Sequence, residues 1–79
     1  MDIDLENQLK DICATIFEVD VSIIKHDSSP DNIESWDSMN HMNLILAIEE
    51  EFQLKILDDD AVELFSFIEL LSYIEKQKR

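Results

Sequence analysis

Glycine is absent from this 79-residue chain, and proline (Pro30) and cysteine (Cys13) occur once each. Tight hairpins need residues that tolerate positive φ, so their near absence argues against an all-β fold. One cysteine excludes an intrachain disulfide, and no Cys/His cluster offers zinc-ligand spacing, so no metal site is expected. The lone thiol suits a reducing compartment. No apolar run is long enough to span a membrane. The start carries Asp2, Asp4 and Glu6 where a secretory signal would be basic and then apolar, so the expected location is the cytoplasm. Basic side chains are scarce too: six against nineteen carboxylates, a formal net charge of −13. That field repels nucleic-acid phosphates and removes DNA and RNA from the expected partners. It attracts basic protein surfaces.

What is present favours helices, and the length suits one small domain, residues 1–79, expected as a monomer. Leu5, Leu9, Ile12 and Ile16 form one stripe over about Asp4 to Phe17, with Glu6, Lys10 and Asp11 off it and Asp2 or Asp4 available as a cap. Cys13 lies beside the stripe without an evident activating base and reads as packing. From Glu18 to Trp36 the helical period is lost. Asp27 to Asn32 cluster as turn formers, while Val21, Ile24, Ile33 and Trp36 are spaced to pin the loop to a core; a short helical turn over Val21 to Lys25 is the other reading.

A second helix is expected from Asp37 to near Phe52, with Leu44, Ile45, Ile48 and Phe52 on its core face. Met39, Met42 and Leu46 sit at the margins of that face. Glu49, Glu50 and Glu51 occupy the last turn, where the helix dipole disfavours negative charge, so local stability does not explain them. Asp58, Asp59 and Asp60 open a short helix to about Leu64, at the end the dipole favours; their contiguity and the missing glycine rule out an EF-hand loop. Ser66 to Glu69 fits a capping box for a last helix whose buried face is Phe67, Leu70, Leu71 and Ile74 and whose end is basic (Lys76, Lys78, Arg79). The fold class is therefore all-α: a small four-helix bundle of three longer helices and one short one, with a long first loop.

Asp37 is an N-cap candidate, which puts the Ser38 hydroxyl at a helix start near solvent. Serine can simply be tolerated there. A catalytic use would pair it with His41, three residues on, but a hydrolase also needs an oxyanion hole and a pocket, which this small chain has little means to build. A third use is attachment: a phosphate ester on Ser38 would meet the free N–H groups and positive end of the helix.

Asp37-Ser38-Met39 resembles the Asp-Ser-Leu attachment signature of the acyl carrier protein family. Leu44 to Phe52 resembles that family's second helix, Ile56 and Asp58 to Ala61 its short third helix, and Phe67 to Ile74 its last, in order over nearly the whole chain. The resemblance implies a non-catalytic carrier. A phosphopantetheinyl transferase would move 4′-phosphopantetheine from coenzyme A to Ser38, and the arm would carry acyl thioesters between enzymes of a fatty-acid, polyketide or related specialised pathway. It also implies recognition through the second helix by acyl-loading and acyl-using enzymes with basic docking surfaces, with Met39, Met42, Asn43, Leu46, Glu49 and Glu50 as contacts. Ser35, Asn40 and Asn43 stand where many members have glycine or acidic residues, and Trp36 precedes Asp37, a form closer to free-standing carriers of specialised pathways. An aminoacyl or peptidyl carrier is the alternative within the class; an unmodified acidic helical interaction module is the alternative outside it.

Overall fold

A computed structural model describes residues 3–78; the cap candidate Asp2 and the terminal Arg79 lie outside them. Among the described residues the elements are α1 (Ile3–Phe17), a 3-10 turn (Val21–Ile23), α2 (Ser38–Phe52), α3 (Asp58–Ala61) and α4 (Phe67–Gln77), with no strand. This is the expected bundle, its long first connection running from Glu18 to Asp37.

The buried face of α1 is Leu5, Leu9, Cys13 and Phe17, at steps of four, with Ile12 and Ile16 half-buried at its edge. The expected stripe was rotated by part of a turn, because Cys13 and Phe17 both reach the centre. Leu44, Ile45, Ile48 and Phe52 of α2 and Phe67, Leu70, Leu71 and Ile74 of α4 close on them as one cluster. Each fully buried aliphatic or phenyl side chain contributes about 1.5–3 kcal/mol. Cys13 is buried and its thiol is pushed up to about 12 by desolvation, which fits a packing residue.

The first connection is held by side chains. Ile24, Ile33 and Trp36 are buried, but Val21 is exposed, so three of the four expected pins act. Asp20 caps the 3-10 turn by accepting from the Ser22 N–H at 2.9 Å. The buried Ser28 accepts from the Lys25 N–H at 2.7 Å, and its carbonyl takes the Phe67 N–H at the start of α4. Glu6 faces inward, contrary to its expected place off the core. Its carboxylate bonds His26 Nε2 at 3.0 Å and Lys10 Nζ at 3.3 Å. The His26 hydrogen bond is the main reason its carboxyl is held below the usual range. Burial of Glu6 thus follows from partners on the loop and one turn along α1.

Helices α1 and α2 end on left-handed residues, Glu18 (φ 56°) and Gln53 (φ 52°). Glycine usually fills such positions; here each costs about 1–2 kcal/mol, and the chain stops turning without it. α3 is shorter than expected, ending at Ala61, and Leu57 at its N-cap makes no side-chain cap bond. A four-residue helix has little dipole, so Asp58 to Asp60 need another account. Asp60 has one: it accepts from the Tyr73 hydroxyl at 2.9 Å, tying α3 to α4. At α4 the Ser66 hydroxyl accepts from the Glu69 N–H at 3.3 Å and donates to the Glu69 carboxylate at 2.9 Å. Cap and glutamate therefore meet through their side chains, where the expected capping box would have sent the glutamate to a backbone N–H.

Candidate functional site at the start of α2

The segment that delivers Ser38 is fixed from both sides. Ser35 Oγ donates to the Phe17 carbonyl at the end of α1, at 2.7 Å, and the Ser35 carbonyl accepts from Asn40 Nδ2 at 2.8 Å. Asp37, in extended backbone, accepts from the Asn40 N–H at 2.8 Å, and its carbonyl accepts from the His41 N–H. Asp37 and Asn40 thus cap each other's segments. An aspartate at position 40 could not donate to the Ser35 carbonyl, a physical reason for the amide found there.

Ser38 is the first residue of α2, and its side chain is exposed. Asp37 takes the Asn40 N–H, which leaves the Ser38 and Met39 N–H groups of the first turn without a hydrogen-bond partner among the described residues. Free N–H groups in the first turn of a helix are the kind of donors that favour an anion.

His41, three residues on, turns inward and is only 2% exposed. The Trp36 indole N–H donates to its Nδ1 at 3.0 Å, and its Nε2 donates to the Ala61 carbonyl at 2.8 Å. Both ring nitrogens are engaged, so His41 is not a base for Ser38, and the Ser-His reading has no structural support. Among the described residues no His, Cys, Asp or Glu group is arranged to hold a metal ion.

The outer side of α2 carries Met39 (76% exposed), Leu46 (59%) and Met42 (47%). These three stand in solvent and are not core edge, as marginal residues often are. Asn43 is exposed and donates to Asn40 Oδ1 at 3.3 Å. The three glutamates separate. Glu50 and Glu51 are exposed, while Glu49 is half-buried and accepts from the Ile56 N–H at 2.8 Å. Glu49 therefore has a structural use that its place in the last turn did not reveal: it holds the link from α2 to α3.

Known proteins bear on this arrangement. The chain is 36% identical over 70 residues to an acyl carrier protein of Bdellovibrio bacteriovorus, covering 89% of this chain and 90% of the relative. It is 33% identical over 76 residues to one of Buchnera aphidicola, covering 96% of each, and 32% identical over 75 residues to one of Lactobacillus acidophilus, covering 95% and 94%. The chain belongs to the acyl carrier protein family. No family model matches it.

Within this acyl carrier fold, the sequence pattern marked Asp37 as the cap and Ser38 as an exposed residue at the helix start, but gave neither the Trp36–His41 bond nor the Ser35–Asn40 tie. A tryptophan five residues before a histidine, across a cap, was the available signal. A lone buried histidine needs two partners, and an indole N–H can only donate.

Proposed function

We propose that Ser38 is the attachment point for 4′-phosphopantetheine and that the chain presents acyl groups to partner enzymes through the outer side of α2. The observation that carries this reading is the exposed hydroxyl of Ser38 at the first position of a helix capped by Asp37, in a chain of the acyl carrier family. In the transfer, the Ser38 hydroxyl attacks the β-phosphate of coenzyme A, a phosphodiester forms, adenosine 3′,5′-bisphosphate leaves, and the transferase takes the serine proton. The chain needs no base of its own, in keeping with the engaged nitrogens of His41.

When bound, the arm supplies a terminal thiol that holds an acyl group as a thioester. The protein's own contribution is positional: Asp37 fixes the helix start, and the first-turn N–H groups favour the phosphate charge. Met39, Met42 and Leu46 offer apolar contact beside Ser38, and Glu50 lies on the same helix for basic partner groups. Glu49 is a weaker candidate contact because its carboxylate is engaged.

Incubation with coenzyme A and a broad-specificity phosphopantetheinyl transferase, followed by intact mass, tests the proposal. One phosphopantetheine addition, absent from Ser38→Ala, is the expected result. No addition under conditions that modify a control carrier would overturn it in favour of an unmodified interaction module.

A further inference from the structure

Helices α1 and α2 leave an open groove of about 330 Å³ between them. Its floor is apolar: Ile12 and Ile16, half-buried at the edge of the core, and Ala47 on α2. The rotation of α1 that seats Cys13 and Phe17 at the centre is what turns the two isoleucines to this edge. Asp11 on the α1 side and Glu51 on the α2 side are exposed and line the same groove.

Neither carboxylate has a basic partner among the described residues. Lys10 is bonded to Glu6, Lys78 lies over the Phe52 ring, and no basic side chain lines the groove. Thr15, on the same wall as Asp11, is turned back, its hydroxyl donating to the Asp11 carbonyl at 2.9 Å. Glu51 also stands in the last turn of α2, where the helix dipole disfavours it. Unlike Glu49, it holds no backbone N–H among the described residues that would offset this. An apolar floor between two unpaired carboxylates is a surface of the kind that receives another chain.

We infer that this groove is a second docking surface and that its occupant is a basic amphipathic helix of a partner protein. Apolar side chains of that helix cover Ile12, Ile16 and Ala47, and its Lys or Arg groups meet Asp11 and Glu51. A second copy of the chain is a poor occupant, because each copy carries −13 and would bring carboxylates to carboxylates. A small molecule is no better. The volume is at the lower end for ligand cavities, and the lining is half-buried or exposed throughout.

The groove is separate from the attachment site. At about 100° per residue, Ala47 and Glu51 lie about a third of a turn round α2 from Met39, Met42 and Leu46. A partner seated there leaves the outer side of α2 open, so it anchors the carrier while another enzyme serves Ser38. That anchoring role rests on the attachment reading, whereas the groove does not.

The probe is a synthetic helical peptide of about fifteen residues, with leucines on one face and lysines flanking them, added to the full-length unmodified protein. Amide shifts in wild type should concentrate at residues 11–16 and 47–51 and spare Met39 and Met42. Asp11→Asn/Glu51→Gln should weaken binding about fivefold, as expected for two exposed ion pairs. Asp31→Asn/Asp59→Asn removes the same charge at exposed sites outside the groove and should weaken it less than about twofold. A peptide with serine in place of leucine should bind at least about tenfold more weakly. Equal weakening in the two double variants, or equal binding of the serine peptide, would reduce the contact to net-charge attraction and overturn the proposal. So would absence of binding, or shifts centred on Met39 and Met42. Concentration-dependent shifts at residues 11–16 without peptide would assign the groove to a second copy and overturn it as well. The wild-type shift map decides the matter even if a variant does not fold. For the anchoring role, modification of wild type by coenzyme A and the transferase should run within about twofold of the same rate with saturating leucine peptide as with serine peptide. A larger slowing removes that role. Failure of modification without any peptide counts against the attachment reading alone.

Discussion

Replacing Glu49 separates a structural carboxylate from a docking one. Its Oε2 accepts from the Ile56 N–H at 2.8 Å, and Ile56 itself is buried. A hydrogen bond to a charged group contributes about 1.5–3 kcal/mol. Against this, removing a negative charge from the last turn of α2 relieves about 0.3–1 kcal/mol of unfavourable dipole interaction. The bond wins, so Glu49→Ala should destabilise the domain by about 1–2 kcal/mol, at about 4–8 °C in melting temperature for each kcal/mol. Glu49→Gln keeps an acceptor and loses the charge, so its stability should stay within about 0.5 kcal/mol of wild type. Glu51→Ala is the control: that side chain is exposed, so only the charge relief remains and the variant should be slightly stabilised. Thermal and urea unfolding followed by circular dichroism measures all three. A Glu49→Ala melting temperature equal to that of Glu51→Ala would refute the argument and return Glu49 to the docking surface.

The Glu6 carboxyl is held low, chiefly by its hydrogen bond to His26, so its contribution is present above its unfolded value near pH 4.5 and is lost as pH falls through the folded value. Urea midpoints from about pH 6 to about pH 3 should drop more steeply for wild type than for Glu6→Gln; parallel curves would show the bond to be inert. The Cys13 thiol, buried and pushed up to about 12, should resist a disulfide reagent at about pH 8 in the native protein and react at once in denaturant. Fast native labelling would mean that α1 opens readily. Met42→Glu and Leu46→Glu should change stability by no more than about 0.5 kcal/mol, because both side chains are exposed, and yet lower turnover by acyl-loading enzymes. Loss of the helical signal in either variant would place that residue in the core.

Local pattern carried much of the architecture. The apolar periods in α2 and α4 placed their core faces, because one helix surface must be buried whatever it meets. Asp37 and Ser66 marked helix starts through bonds that span three residues. Ser38 was visible for the same reason. The rotation of α1 was not, since Cys13 and Ile12 have similar claims on the core and only the shape left by α2 and α4 favours Cys13.

Residues that satisfy each other across the chain were hidden. Glu6 reads as a surface charge until His26, twenty residues on, folds back to it. Glu49 reads as a misplaced charge until the Ile56 N–H arrives.

What the sequence by itself determined is the all-helical class, the helix that begins at Ser38 and the strongly acidic character, since each depends on neighbours within a turn or on a sum over residues. Only the tertiary structure decided that His41 turns inward to join Trp36 to Ala61, because a histidine's role is set by the partners that desolvation forces on both its nitrogens.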